Sequence, residues 1–328
     1  MTAGDASAQS IGASWLLTIR YSAILPILVM FILVLVAFGL TTDRFWSVGN
    51  VTNVLRQGAP LVIVAVGVTF VLVAAGIDLS IGAMVSFVGV MTALILQMGL
   101  APELTVPLIL GLALAIGVVN GYLITYQRLP SFIVTLGTLS ILVGIAQLIG
   151  QGFSIPIETD RWLISLGQGR IGGIVPVQIA IAMIVVAVGW VLLNRTPYGL
   201  RIRGIGSNME SVRRSGVPVN RLVTSVYMLA AVLAAVGGII IAMRLQSGTA
   251  SAGTGLELKA IAAVVLGGTS LFGGKGTVVG SMLGVYTLGF IENGLVLNRV
   301  DPFYFNIIQG LVLLVALWLN MGFFSRMR

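Results

Sequence analysis

Gly76-Ile77-Asp78-Leu79-Ser80-Ile81-Gly82 interrupts an otherwise apolar stretch that runs from Ala59 to Met98. As one continuous helix that stretch would extend roughly 60 Å, about twice the thickness of a bilayer's hydrocarbon core. It must break, and the glycines, the serine and the carboxylate mark where. A second stretch, Leu256 to Leu297, is also too long for one crossing and breaks at Gly273-Gly274-Lys275-Gly276. The two resemble each other at an offset of 198 residues: Ile63, Ala65, Val66, Gly82 and Met84 align with Ile261, Ala263, Val264, Gly280 and Met282. Duplicated helical halves with paired breaks are a common transporter plan.

The rest of the chain has the same character. Of its 328 residues 58% are hydrophobic and 9% charged, and the mean hydropathy is +1.09. A soluble domain carries roughly 25% charged residues, so a soluble fold lacks the polar groups to cover itself. The sequence predicts an all-α membrane protein of about ten transmembrane helices, some broken or short. The apolar segments fall near Ile24–Leu40, Ala59–Ala75, Ile81–Gln97, Leu104–Thr125, Ser131–Ile149, Ile174–Leu193, Leu222–Met243, Leu256–Leu271, Thr277–Leu297 and Phe303–Phe324. Arg20, Arg128, the group from Arg195 to Arg221, Lys275, Arg326 and Arg328 fall on one side, which the positive-inside bias makes cytoplasmic. Both termini are then cytoplasmic. The expected organisation is a cytoplasmic N-terminal segment 1–23, one transmembrane domain 24–324 with a cytoplasmic loop at about 194–221, and a cytoplasmic tail 325–328. Gly276, Gly280 and Gly284, and Gly117 with Gly121, make small faces suited to close helix packing in lipid.

Several function classes drop out. The chain has no Cys and no His, which removes thiol and imidazole chemistry and nearly all zinc or haem ligation. The net charge of +8 sits in loops without the aromatic interleaving that stacks bases, so no nucleic-acid partner is expected. Gly167, Gly169 and Gly172 satisfy a GxGxxG pattern but lie in a loop between spans. Gly273-Gly274-Lys275-Gly276 fails as a phosphate loop, with Thr269 and Gly276 at the wrong positions. No catalytic residue, no metal site and no cofactor of this chain's own follow.

Asp78 has two readings. A carboxylate facing lipid costs roughly 2.5–3.5 kcal/mol, so it either lines or gates a polar path at a broken helix or caps a helix in a tight inner turn. Ser80, Asn120, Gln147, Glu257, Glu292, Asn293 and Asn306 are further polar groups in or at spans. Neutral donors and acceptors suit a polyhydroxylated solute; hydrogen bonding between helices is the plainer role. Asp78, Ser80, Asn120, Glu257 and Asn293 are the candidates for the path or the break.

The loop after the sixth span reads Asn194-Arg195-Thr196-Pro197-Tyr198-Gly199-Leu200-Arg201 and then Gly206-Ser207-Asn208-Met209-Glu210-Ser211-Val212-Arg213-Arg214-Ser215-Gly216-Val217-Pro218. Ser207 and Glu210 have the spacing of a capping box. Gly216 suits a left-handed position after a helix, and Pro218 stops continuation. A two-turn helix of about 12 Å fits between. It is too short to persist alone and too polar to span, which suits docking into a partner's groove. A basic segment held by anionic lipid is the alternative, though capping is more than lipid attraction needs.

These motifs, in order, resemble the permeases of ribose-, xylose- and galactose-type ATP-binding-cassette importers. Gly76 to Gly82 is similar to the family's GIDLSVG. Leu129-Pro130-Ser131-Phe132-Ile133-Val134-Thr135-Leu136-Gly137-Thr138 matches its LPSFIVTLGT. Thr196-Pro197-Tyr198-Gly199 with the loop after it resembles its coupling region, and Glu257 to Gly274 resembles its ELxAIAAVVIGGTSLxGG. The resemblance implies a bacterial inner-membrane permease, paired with a second copy as a homodimer. Two cytoplasmic ATPase chains would bind the ATP and Mg, and a periplasmic sugar-binding protein would deliver a monosaccharide or related polyol. Gly206, Ser207, Asn208, Glu210, Arg213, Arg214 and Gly216 would form the coupling helix. The family commonly has Ala-Ala-Arg-Leu-Ser-Gly where this chain has Ser211-Val212-Arg213-Arg214-Ser215-Gly216, which leaves the matching ATPase open. Related architectures carry nucleosides or branched-chain amino acids, and an ion-coupled carrier using Asp78 would need no ATPase.

Overall fold

The computed structural model describes residues 24–158, 162–301 and, beyond them, 303–305, 307, 308, 310, 311 and 314. The expected segments 1–23 and 325–328 lie outside the described residues. The chain is all α apart from four two-residue strands among the described residues. It opens with α1 (Leu25–Thr41), α2 (Val48–Val73), α3 (Ser80–Gln97), α4 (Pro102–Thr125) and α5 (Ser131–Gly150). An irregular stretch with β1 (Ile155–Pro156), a 3-10 turn Trp162–Ile164, α6 (Ser165–Gln168), β2 (Arg170–Ile171) and β3 (Val175–Pro176) follows. Then come α7 (Val177–Arg195), the loop helices α8 (Pro197–Ser207) and α9 (Met209–Arg214), α10 (Val219–Leu245), β4 (Ser247–Gly248), α11 (Leu256–Leu266) and α12 (Val278–Leu297).

Seven of these are long and apolar enough to cross a membrane: α2, α3, α4, α5, α7, α10 and α12. The count differs from the expected ten for three reasons. Helix α1 is apolar but has only 17 residues. Helix α11 has 11 residues, about 16 Å, half a crossing. The tenth segment, Phe303–Phe324, lies largely outside the described residues.

Burial separates a core from a periphery. The apolar windows of α2, α3 and α10 are 72% buried, whereas that of α5 is only 22% buried. Small residues bring the core helices together. A Cβ at Gly67 would press on the Ala230 backbone, and one at Gly238 on Val85. Gly117 and Gly121 of α4 lie against Met228 and Thr224 of α10, and Gly280 and Gly284 of α12 against Gly267 and Ala263. Both glycine faces noted in the sequence are thus packing seams.

The apolar repeat has a structural counterpart. Helices α3 and α12 begin at Ser80 and Val278, which keeps the 198-residue offset. Each follows a break, and the two breaks meet, the Gly274 amide donating to the Val73 carbonyl at 2.9 Å.

Candidate functional site

The first break is built on Asp78. Helix α2 ends at Val73, and α3 starts at Ser80 with Leu79 before it offering no side-chain acceptor. Asp78 supplies it instead: its Oδ1 accepts from the Ser80 amide at 2.9 Å and the Ser80 hydroxyl at 2.6 Å. This is an Asx turn leading into a helix. The network continues inward. Asn120 of α4 donates through Nδ2 to the Ser80 hydroxyl at 3.2 Å, and Thr138 of α5 donates to Asn120 Oδ1 at 2.6 Å. Ser131 Oγ accepts from the Ile77 amide at 3.2 Å. Asp78, Ser80 and Asn120 are all buried. Three predicted residues therefore form one cluster that pins the break to two further helices. Thr138 and Ser131, also in the cluster, were not singled out in the sequence. Their only signal is that they recur in the LPSFIVTLGT segment.

Asn293 and Glu257 lie elsewhere. Asn50 and Asn293 exchange amide hydrogen bonds, each 2.8 Å, and so tie the start of α2 to α12. Glu257 stands in the first turn of α11 against Gly82. Its neighbour Lys259 pairs with Glu292 of α12 at 2.5 Å. At the start of α2 an open cavity of about 640 Å³ is lined by Asn50, Asn53 and Arg56 together with Arg170.

The loop after α7 contains two helices rather than one. Pro197 opens α8, and the Thr196 hydroxyl accepts from the Gly199 amide at 3.3 Å. The second helix, α9, is capped by Asn208, whose Oδ1 accepts from the Ser211 amide at 3.0 Å. The expected capping box of Ser207 and Glu210 does not form, because Ser207 is still the last residue of α8. The cap therefore moves one residue on, and Glu210 turns to Arg214 in an exposed pair at 3.2 Å. Gly216 has the expected left-handed backbone, φ +82°. Nothing in α9 is buried, and its exposed apolar Met209 precedes Arg213 and Arg214 on the same short helix.

Helix α8 anchors this exposed helix to the core. Ile202 and Ile205 are buried. Tyr198 is hydrogen-bonded to Ser225 at 2.9 Å; burial pushes its hydroxyl above the ordinary tyrosine value, and that bond works against the rise. Arg203 donates to the Gly276 carbonyl at 3.3 Å, and burial lowers its pKa. Gly206 sits where a Cβ would collide with the Val73 carbonyl and the Gly274 amide, and Ser207 touches Gly274. The exposed loop thus contacts both breaks at once.

A family model described as "Branched-chain amino acid transport system / permease component" matches residues 50–317. The ribose import permease protein RbsC of Haemophilus influenzae is 38% identical over 288 residues, 87% of this chain and 89% of its own. RbsC of Escherichia coli (strain K12) is 39% identical, covering 87% and 90%. The xylose transport system permease protein XylH of the same strain is 33% identical, covering 88% and 89%. No solved structure matches.

Proposed function

The chain belongs to the family of branched-chain amino acid transport system permease components, and from that premise we propose that it carries a monosaccharide of the ribose or xylose type. It does so as the membrane-spanning subunit of an ATP-binding-cassette importer of the inner membrane. The observation that carries this reading is the similarity to ribose import permeases over 87% of the chain.

In this reading about ten spans cross the membrane, with α1, α11 and the segment 303–324 as the short or additional ones, and both termini are cytoplasmic. Two copies pair around the path. A periplasmic sugar-binding protein delivers the solute at the outer face, and two cytoplasmic ATPase subunits bind ATP and Mg. Helix α9, with Glu210, Arg213 and Arg214, its cap Asn208 and the following Gly216, docks on the ATPase. An exposed helix with apolar Met209 beside two guanidinium groups suits a groove with carboxylate or carbonyl acceptors. Gly206 and Ser207 pass the movement to the helix breaks. Asp78, Ser80 and Asn120 shape the first break rather than touch the sugar, and Asn293 holds α2 to α12.

The family description itself favours a second reading, a branched-chain amino acid as cargo. Uptake into vesicles holding the permease with its ATPase and binding protein separates the two. ATP-dependent accumulation of ribose or xylose, with no competition from leucine, is expected. Leucine uptake would establish the second reading. Uptake driven by a sodium or proton gradient without ATP would defeat both.

A further inference from the structure

We propose that the non-helical segment between α10 and α11, residues 247–255, is a wall of the aqueous solute path, with Ser251 and Thr254 facing a neutral polyhydroxylated solute. The nature of the solute rests on the sugar reading above; the position of the wall does not.

The segment dips into the membrane. It leaves α10 at β4, which pairs with β1, and then runs along α3. Gly248 packs on Gly89 and Val90, and the Gly253 amide donates to Ser86 Oγ at 2.8 Å. Gly253 then lies against Gly82 so closely that neither residue has room for a Cβ. Gly82 is roughly 22 Å along α3 from Gln97, at 1.5 Å per residue. Ser80, two residues before Gly82, is bonded to Asn120, which stands about 8 Å short of the end of α4. Residues 251–257 therefore lie well inside the hydrocarbon layer.

That depth excludes most surroundings. Non-helical backbone within a bilayer is tolerated only where protein covers it or it lines water. Ser251, Thr254 and Gly255 are exposed, and Glu257 is half-buried. Among the described residues Glu257 has no ion pair, since the nearby Lys259 is paired with Glu292. Burial of this carboxylate in a dry apolar contact would cost several kcal/mol. Water satisfies the carboxylate, the turns and the hydroxyls together. Hydroxyls and main-chain carbonyls are then the donors and acceptors that a sugar's hydroxyls need.

The chain contains no Cys, so each introduced cysteine is the only thiol in the permease, and the wild-type complex, treated alongside, sets the background from the partner chains. Ser251→Cys, Thr254→Cys and, as a lipid-facing comparison, Ile184→Cys in α7, which is 63% exposed, are made in the assembled importer. Each is treated in vesicles with 2-(trimethylammonium)ethyl methanethiosulfonate. The thiolate is the reactive form, and hydrocarbon suppresses it by two or more pKa units, so the path positions should react at least about a hundredfold faster than residue 184. Uptake should fall with modification, and saturating ribose or xylose should slow the reaction. If either path variant transports normally yet reacts no faster than Ile184→Cys, the wall is elsewhere. Fast reaction that leaves uptake intact would equally overturn the proposal. Should Thr254→Cys not transport before treatment, Ser251→Cys decides. If the wild-type complex carries neither sugar, the sugar reading falls, while the rate ratio still decides the wall.

Discussion

The Gly274 amide donates a 2.9 Å hydrogen bond to the Val73 carbonyl, so the chain's two helix breaks are held against each other. Gly206 of the loop helix α8 closes over the same bond. The loop helix α8, a core helix end and a repeat-related break thus share one contact made of backbone. Backbone cannot repack as a side chain can, so a displacement of α8 must be passed on to the breaks.

Gly206→Ala tests this. The added methyl meets the Val73 carbonyl rather than a flexible side chain, and overpacking of this kind costs about 1–3 kcal/mol. The expected result is a folded complex whose sugar-stimulated ATPase activity is lost or greatly reduced. Gly137→Ala, at a position with open space around it, should keep wild-type stimulation. Equal stimulation in both variants would separate the loop from the breaks.

The cap on α9 predicts an order of effects. Asn208→Ala removes the side chain that holds the Ser211 amide and should destabilise the helix by about 1 kcal/mol. Glu210→Ala removes only an exposed pair with Arg214, worth well under about 1 kcal/mol. ATPase stimulation by loaded binding protein should therefore fall more for Asn208→Ala than for Glu210→Ala. Replacing Arg213 and Arg214 together should give a salt-sensitive docking defect. The reverse order for the first two would restore the capping box as the working device.

Asp78→Ala should be worse than Asp78→Asn. Both Ser80 donors lose their acceptor in the alanine variant, and an orphaned buried donor costs about 1–3 kcal/mol. Asparagine keeps an acceptor oxygen. The check is thermal stability in detergent alongside uptake. A stable Asp78→Asn protein with no uptake at all would show that the charge, not the turn, is needed.

The Asn50 and Asn293 amides make a closed pair. A double-mutant cycle with Asn50→Leu and Asn293→Leu should give a coupling energy of about 1 kcal/mol, in the range measured between membrane helices. The double variant should be more stable than either single: a lone Asn293 leaves both its amide groups unpaired, and a lone Asn50 leaves its oxygen unpaired while its Nδ2 still donates to the Phe45 carbonyl. Additive losses would mean the pair is not formed in the membrane.

The sequence by itself determined the membrane class, the places where its long apolar runs break, the glycine seams and the left-handed Gly216. Each of these follows from local composition: apolar length against bilayer thickness, or a backbone conformation only glycine enters cheaply. It also marked Asp78 as a residue that cannot face lipid. Only the tertiary structure decided what the Asp78 turn is tied to, because Asn120 bonds to its partner Ser80, and Thr138 to Asn120, from helices distant in sequence. The same holds for the cap of α9: Ser207 and Asn208 have equal chemical claims, and α8 running on through Ser207 settles it for Asn208. The half-length of α11 and the dip of residues 247–255 were hidden for a related reason. Hydropathy records how apolar a segment is, whereas the depth at which it lies depends on the neighbour it packs against, here the glycine face of α3.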